Sequence, residues 1–380
     1  MYSSTMIRRT RVEIDLAAII GNARTVRALT RTDVFAVVKA DGYGHGAVAV
    51  ARALSAARAA AGFAVSLVEE GVVLRDAGVT APVLVMGPSQ HGGEDDMVMA
   101  GLTPVIGSAE DLALLAAVAR RRGRMIDAHL KVDTGMGRLG LPPGEAPALV
   151  VEAAQTGVAI VGLMTHFACA DTDDPADPRS MTRDQLRRFA EIDRAVTAAG
   201  APLQVRHAAN SSGALMFHEA RLGLVRTGIA IYGNGRWPAD DAAHRSAMRL
   251  VTEVAQLREV AEGASVGYGA EWRAARPSRL AILPLGYADG LPRAASGRAF
   301  AAIRGRRVPL VGVISMDIAI ADVTELPEVA VGDAAVLLGR ASGGASISVA
   351  EYGAWAGLSE YEVTCGMSKR VPRTYVGEPP

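Results

Sequence analysis

The chain is poor in the features that mark secreted, metal-stapled or membrane-bound proteins. Only two cysteines, Cys169 and Cys365, occur in 380 residues. That is too few for a disulfide framework and lacks the paired spacing of a metal site, so no metal is expected and a reducing compartment is. Charge of one sign is not in excess either: 40 basic and 40 acidic residues cancel. Neither nucleic acid nor an anionic membrane is therefore an expected partner. No run approaches the roughly 20 apolar residues of a membrane helix; the Ala-rich stretch 47–68 is interrupted by Arg52 and Arg58. The first residues, Met-Tyr-Ser-Ser-Thr-Met-Ile-Arg-Arg, contain no apolar segment followed by a small-residue cleavage site, so the expected location is cytoplasmic.

What remains is an ordinary globular composition, half hydrophobic and 21% charged, in a chain long enough for two domains. Short apolar runs at 34–38, 62–65, 83–86, 103–106, 126–132, 160–164, 203–206 and 223–226 alternate with amphipathic stretches at 47–60, 67–77, 109–121, 147–156 and 182–199. Strands alternating with helices imply a parallel sheet. Eight such strands over about 200 residues fit a (β/α)8 TIM barrel; a doubly wound open sheet is the alternative. Beyond Tyr232 the pattern becomes β-rich, with runs at 250–260, 280–284, 307–313, 318–323 and 334–338 and one short helix at 349–356. This predicts a barrel over 1–240 and a mostly antiparallel β domain over 241–380.

Barrel active sites lie at the C-terminal ends of the strands. There the sequence places Lys39, Lys131 with Arg138 just beyond, His166, His207 followed by Asn210-Ser211-Ser212-Gly213, and Arg226 followed by Gly228. Polar and cationic residues converge on one rim. A desolvated lysine amine forms Schiff bases with aldehydes, although Lys39 could equally be snorkelling or paired with Asp41. Ser211 with Gly228 and Ile229 stands where barrels bind phosphate, or Asn210-Ser211 is a plain helix cap. Arg226, which does not deprotonate, could face a ring nitrogen or close the barrel end with a salt bridge.

The stretch Ala36-Val-Val-Lys-Ala-Asp-Gly-Tyr-Gly-His-Gly46 resembles the cofactor-attachment signature of the alanine racemases, fold type III enzymes dependent on pyridoxal 5'-phosphate (PLP). Further landmarks follow in the family's order: Leu130-Lys-Val-Asp-Thr-Gly-Met-Gly-Arg-Leu-Gly140, Thr165-His-Phe-Ala-Cys-Ala-Asp171, His207-Ala-Ala-Asn-Ser-Ser-Gly213, Val225-Arg-Thr-Gly-Ile-Ala-Ile-Tyr-Gly233, Val266-Gly-Tyr-Gly-Ala270, Leu285-Gly-Tyr-Ala-Asp-Gly290, Ser315-Met-Asp317 and Arg370-Val-Pro-Arg373. The resemblance implies an isomerase that interconverts L- and D-alanine and supplies D-alanine for peptidoglycan.

The resemblance also implies the residue roles. Lys39 would attach PLP and act as one base. Tyr268, supplied across a head-to-tail homodimer, would be the other. Tyr43, Ser211, Gly228, Ile229 and Tyr375 would hold the phosphate, and Arg226 would contact the pyridine nitrogen. His166 would bridge Arg226 and Tyr268, and that cationic chain would favour the phenolate of a side chain whose ordinary pKa is near 10. Arg138 and the Met316 backbone would bind the substrate carboxylate, with Lys131 as a possible carbamate. Asp171, Tyr287, Arg293 and Asp317 would line the entrance.

The chain departs from the pattern at Lys369, where the family often has tyrosine, and at Ser315 and Val313. These departures bear on substrate access and keep a serine or broad-specificity racemase in view. A decarboxylase of the same architecture and a non-catalytic PLP-binding barrel are further alternatives; the Tyr268 motif and the second domain oppose them.

Overall fold

The computed structural model describes residues 7–88, 92–238 and 244–377. The chain divides into two compact units. One is Ala18–Arg245; the other joins the N-terminal segment through Ala17 to the chain from Ser246 onward. The boundary expected at residue 240 lies outside the described residues. Strand β1 (Arg11–Asp15) belongs to the β-rich unit, not to the barrel that follows it.

In the first unit β2 (Asp33–Val37), β3 (Gly62–Val65), β4 (Val83–Val85), β5 (Thr103–Ile106), β6 (Ile126–Lys131), β7 (Val158–Met164), β8 (Val205–His207) and β9 (Leu224–Thr227) alternate with helices. They pair in parallel in the order β8-β7-β6-β5-β4-β3-β2-β9. The outer two strands meet through Gly223 N–H to Arg206 O (2.9 Å) and Arg226 N–H to Ala209 O (3.0 Å) instead of a regular ladder. The result is a nearly closed TIM-like barrel, as expected. β3 and β4 are buried at every position, which is how strands covered on both faces read in sequence. Helix 109–122 begins at the Ser108 cap, whose side chain accepts from Asp111 N–H, and ends at Gly123 in the left-handed region. These are ordinary start and stop devices.

The second unit adds β10 (Met248–Glu253), β11 (Gln256–Val260), β12 (Ser265–Val266), β13 (Trp272–Arg273), β14 (Ser278–Leu283), β15 (Phe300–Ile303), β16 (Arg306–Pro309), β17 (Ala319–Asp322), β18 (Ala334–Arg340), β19 (Ser346–Ile347) and β20 (Arg373–Val376). The larger sheet runs β16-β15-β18-β10-β1-β20, with β19 on β18; β11-β14-β17 and β12-β13 form smaller sheets. All pairings here are antiparallel except β1 with β20. The β-rich run at 250–260 is divided between two strands, β10 and β11, in different sheets. A second helix, Glu360–Cys365, follows the expected one at Val349–Ala354. Among the described residues no helix is long and apolar enough to cross a membrane, and no cluster of His, Cys, Asp and Glu could hold a metal ion.

Candidate active site

The chain leaves β2 through an unusual turn. After Lys39, residues Ala40, Asp41, Gly42 and Tyr43 have φ of 51°, 53°, 63° and 54°. Left-handed backbone costs about 1–2 kcal/mol for each residue with a Cβ, so three such residues store roughly 3–6 kcal/mol. Strain of this kind persists only where the surroundings over-determine it, and it clusters at functional sites. Here Asp41 Oδ1 accepts from Ala47 N–H (2.9 Å) at the start of the next helix. His45 Nδ1 lies 3.0 Å from the carbonyls of Gly42 and Tyr43 and so must donate to them. Tyr232 donates to Val37 O (3.1 Å) and packs its ring 5.2 Å from that of Tyr43. Lys39 is thus carried on a rigid, strained corner.

The turn brings Tyr43 to the loop after β9. A Cβ on Gly228 would lie 2.4 Å from the Tyr43 hydroxyl, so only glycine fits. Ser211, the first residue of the short helix capped by Asn210, sits against the same loop and accepts from Gly228 N–H (3.1 Å) and Ala230 N–H (3.3 Å). The cap reading of Asn210 holds, through Gly213 N–H (2.9 Å), and Ser211 faces the β9 loop. Tyr43, Ser211, Gly228 and buried Ile229 form a cradle of hydroxyl and amide groups suited to a phosphate.

Arg226 fills the seam between β8 and β9. Its terminal nitrogens donate to Thr165 O (2.7 Å), His207 O (3.1 Å) and Ala208 O (3.1 Å), to His207 Nδ1 (2.6 Å), and more weakly to His166 Nδ1 (3.4 Å). Among the described residues no carboxylate pairs with it, so the salt-bridge alternative does not hold, and none of these bonds uses Nε. Burial lowers its pKa to about 10, which leaves it cationic at neutral pH. An arginine only donates, and this dictates the histidine tautomers by network logic. His207 accepts on Nδ1 and carries its proton on Nε2, which faces His129 Nδ1 at 2.8 Å. His129 then accepts as well. Burial, followed by the Arg226 charge, pushes His207 well down and His129 to about 4, so both rings are neutral. Gly162 on β7 makes room for the His129 ring, which a Cβ would meet at 2.5 Å.

His166 accepts from Arg226 and therefore bears its proton on Nε2. Burial, then Arg226, Lys131, Arg138 and Lys39, lowers its pKa to about 3. The same four cations surround a region whose nearby carboxylate, Asp133, is engaged elsewhere: it accepts from the N–H groups of Gly135, Met136 and Gly137 at 2.8–2.9 Å. Those bonds shape the loop carrying Arg138. Gln185 ties that loop to the one after β7, donating to Thr134 Oγ1 (3.2 Å) and His166 O (3.0 Å). Lys131 is buried. Burial, then Arg138 and Arg226, lowers its pKa to about 8 against an opposing pull from Asp133. Asp171 is exposed on the loop after β7. The arrangement gathers four cations around His166, a setting that favours an anionic ligand.

The remaining expected residues lie in the β-rich unit. Tyr268 is 70% exposed, on a tight turn between β12 and β13 flanked by Gly267 (φ 81°) and Gly269 (φ 69°). The Tyr287 turn rests on the Met316 loop: Tyr287 N–H donates to Ser315 O (3.0 Å) and Ala288 N–H to Met316 O (3.1 Å). A Cβ on Gly286 would meet Ser315 O at 2.1 Å. Buried Asp289 binds Arg8 (2.8 Å) and Arg370 (2.7 Å), and Arg370 also reaches Asp317 (2.5 Å). Arg293 begins the next turn, Lys369 is exposed, and Tyr375 lies on β20. His129 and Gln185 were not singled out from sequence. Each stands in the interior of a regular element, where its signal is that of a core residue.

Two sequence families cover nearly the whole chain: "Alanine racemase, N-terminal domain" matches residues 14–235 and "Alanine racemase, C-terminal domain" residues 247–375. An alanine racemase of Sorangium cellulosum is 40% identical over 382 residues, 97% of this chain and 99% of that protein. The crystal structure of alanine racemase from D-cycloserine-producing Streptomyces lavendulae superposes with a TM-score of 0.90 at 34% identity, covering 98% of each chain. That of alanine racemase from Bartonella henselae with covalently bound pyridoxal phosphate superposes with a TM-score of 0.86 at 28% identity, covering 97% of this chain and 99% of that one. The resemblance read from the sequence is borne out, and the chain belongs to the alanine racemase family.

Proposed function

We propose that the chain interconverts L- and D-alanine, with PLP held at the barrel mouth and one proton-transfer base on each face of the substrate carbon. The observation that carries this reading is Arg226. It is a buried cation with no carboxylate partner among the described residues, its Nε–H is not used in the contacts above, and it stands on β9 beside the strand that leads to Lys39. An arginine only donates, and a ligand acceptor would complete its hydrogen bonding at Nε.

The residues fit the cofactor. Lys39 would attach it, and Tyr43, Ser211, Gly228 and Ile229 would enclose its phosphate, the missing Cβ at Gly228 letting the Tyr43 hydroxyl come close to that loop. Arg226 would donate to the pyridine nitrogen and, being a fixed cation, would leave that nitrogen unprotonated. PLP supplies the electron withdrawal that acidifies the α-hydrogen; the protein positions it and tunes it.

Lys39 exchanges the proton on the D-face, and Tyr268 of the partner subunit exchanges it on the L-face. The tautomer of His166 supports this second role, because its Nε2–H is a donor suited to a tyrosinate oxygen. Arg138 and the backbone N–H of Met316 of the partner subunit hold the substrate carboxylate. Lys131, with its lowered pKa, takes up CO2 as a carbamate beside Arg138. Asp171 of one chain, with Tyr287, Arg293 and Asp317 of the other, lines the entrance. The exposure of Tyr268 and Met316 (70% and 51%) suits residues that serve a neighbouring chain, so the functional unit is a head-to-tail dimer. The enzyme acts in the cytoplasm and feeds peptidoglycan synthesis.

The test is to incubate PLP-loaded protein separately with L-alanine, L-serine, L-lysine and L-arginine. The D-enantiomers are resolved by chiral chromatography, with Lys39→Ala as blank. D-alanine should form fastest. Faster turnover of serine or a basic amino acid would shift the substrate and implicate Lys369, and no turnover at all would refute the reading.

A further inference from the structure

The strained corner after β2 is held from outside by a residue to which no role has yet been given. Glu70 is the third residue of the helix Val68–Asp76, and one of its oxygens does what that position commonly does. Oε2 accepts from Leu67 N–H (3.0 Å) and Ser66 N–H (2.8 Å) at the helix start, a familiar capping arrangement. The other oxygen does something capping does not require. Oε1 reaches across to the preceding βα loop and accepts from Ala40 N–H at 2.6 Å. Ala40 follows Lys39 directly and is the first of the left-handed residues. Its N–H belongs to the peptide that leaves Lys39, so this bond fixes the plane of that peptide and with it the direction of the Lys39 side chain. Among the described residues Glu70 has no cationic partner, so its carboxylate is spent on three backbone N–H groups in two loops.

We propose that Glu70 is a positioning residue for the reaction: it clamps the left-handed turn so that the Lys39 amine meets the D-face of the substrate carbon. The inference rests on the reading of Lys39 as the D-face base. A glutamine at position 70 keeps a single acceptor oxygen, so it can serve the cap or the clamp but not both, while size and fold are preserved.

The experiment compares wild type with Glu70→Gln and Glu70→Ala as PLP-loaded dimers. We expect kcat in Glu70→Gln to fall about tenfold or more, since misplacement by an ångström can cost on the order of 100-fold, with KM for alanine changed less than about twofold. The kinetic isotope effects should separate in direction. With α-deuterated D-alanine the effect should rise, because abstraction by Lys39 becomes more rate-limiting. With α-deuterated L-alanine it should fall, because the step at Tyr268 of the partner subunit is then followed by a slower one. A residue that only caps a helix would lower Tm and leave both isotope effects unmoved, and that result overturns the proposal. A readout independent of turnover is hydrogen exchange in unmodified protein. The Ala40 amide should be protected, and rapid exchange there would also overturn the clamp, whatever the fate of the variants. If wild type failed to racemise alanine, the functional reading would fall; an active wild type with an indifferent Glu70→Gln would remove this inference alone.

Discussion

The contact between Gly228 and Tyr43 allows a direct test of the phosphate cradle. In Gly228→Ala the new methyl would sit 2.4 Å from Tyr43 Oη and 2.8 Å from Cζ, whereas carbon contacts settle near 3.5–4.0 Å. The tyrosine tip must therefore retreat by about an ångström. It has little freedom to do so, since Tyr43 is buried and packed on Tyr232. Inserting a methyl into a well-packed site costs about 1–3 kcal/mol. If the displaced groups are those that hold the phosphate, that cost appears in cofactor affinity as roughly five- to 140-fold weaker binding, at about 1.4 kcal/mol per tenfold. Titrating the apoprotein with PLP and following the cofactor's absorbance gives Kd, and a thermal melt of the apoprotein gives the effect on folding alone. Removing the clashing oxygen with Tyr43→Phe should make the double variant less than additive, as expected of residues in contact. A Gly228→Ala protein that binds PLP within twofold of wild type, or strictly additive effects, would refute the cradle as drawn.

Lys131, lowered to about 8 from 10.5, is about a tenth unprotonated at pH 7. Bicarbonate should therefore raise kcat/KM, and intact mass in neutral buffer should show one added CO2 that acid removes and Lys131→Met lacks. In CO2-free buffer the unfolded chain holds more protons at this lysine than the folded one between about pH 8 and 10.5. Wild type should therefore gain stability relative to Lys131→Met across that window, read from urea midpoints; a constant difference would contradict the lowered pKa. Asp289 lies in the opposite case. Burial pushes its pKa up, but Arg8, Arg370 and the Gly286 N–H hold it below the usual carboxylate range. Its stabilisation is then present above the unfolded value near 3.9 and lost as pH falls through the lower folded value. Asp289→Asn should destabilise the β-rich unit by about 2–4 kcal/mol at pH 7 and by progressively less in acid.

Much of this was legible in sequence for identifiable reasons. The barrel strands are short apolar runs buried on both faces, and β3 and β5 have the expected bounds. The rim residues stood out because a lysine, a histidine or an arginine at the end of such a run is conspicuous. What stayed hidden depends on distant partners. Arg-Val-Glu-Ile-Asp at 11–15 alternates as a half-buried strand should, but its partners β10 and β20 lie more than 200 residues away, and nothing local names them. The run at 250–260 keeps its strand character across Val254-Ala255, where the chain passes from one sheet to another. Glu70 reads as a helix-start residue and Gln185 as one position on an amphipathic helix. Their second bonds cross between loops, which no spacing reveals.

The claim that most needs testing is that each site joins Lys39 of one chain to Tyr268 of another. Lys39→Ala and Tyr268→Phe homodimers should each be almost inactive. Mixed, dissociated and reassembled in equal amounts, they should recover about a quarter of wild-type racemisation, because half the dimers are hybrid and each hybrid has one of its two sites intact. If both bases came from the same chain, no hybrid would contain a complete site, and a mixture as inactive as its components would contradict the account.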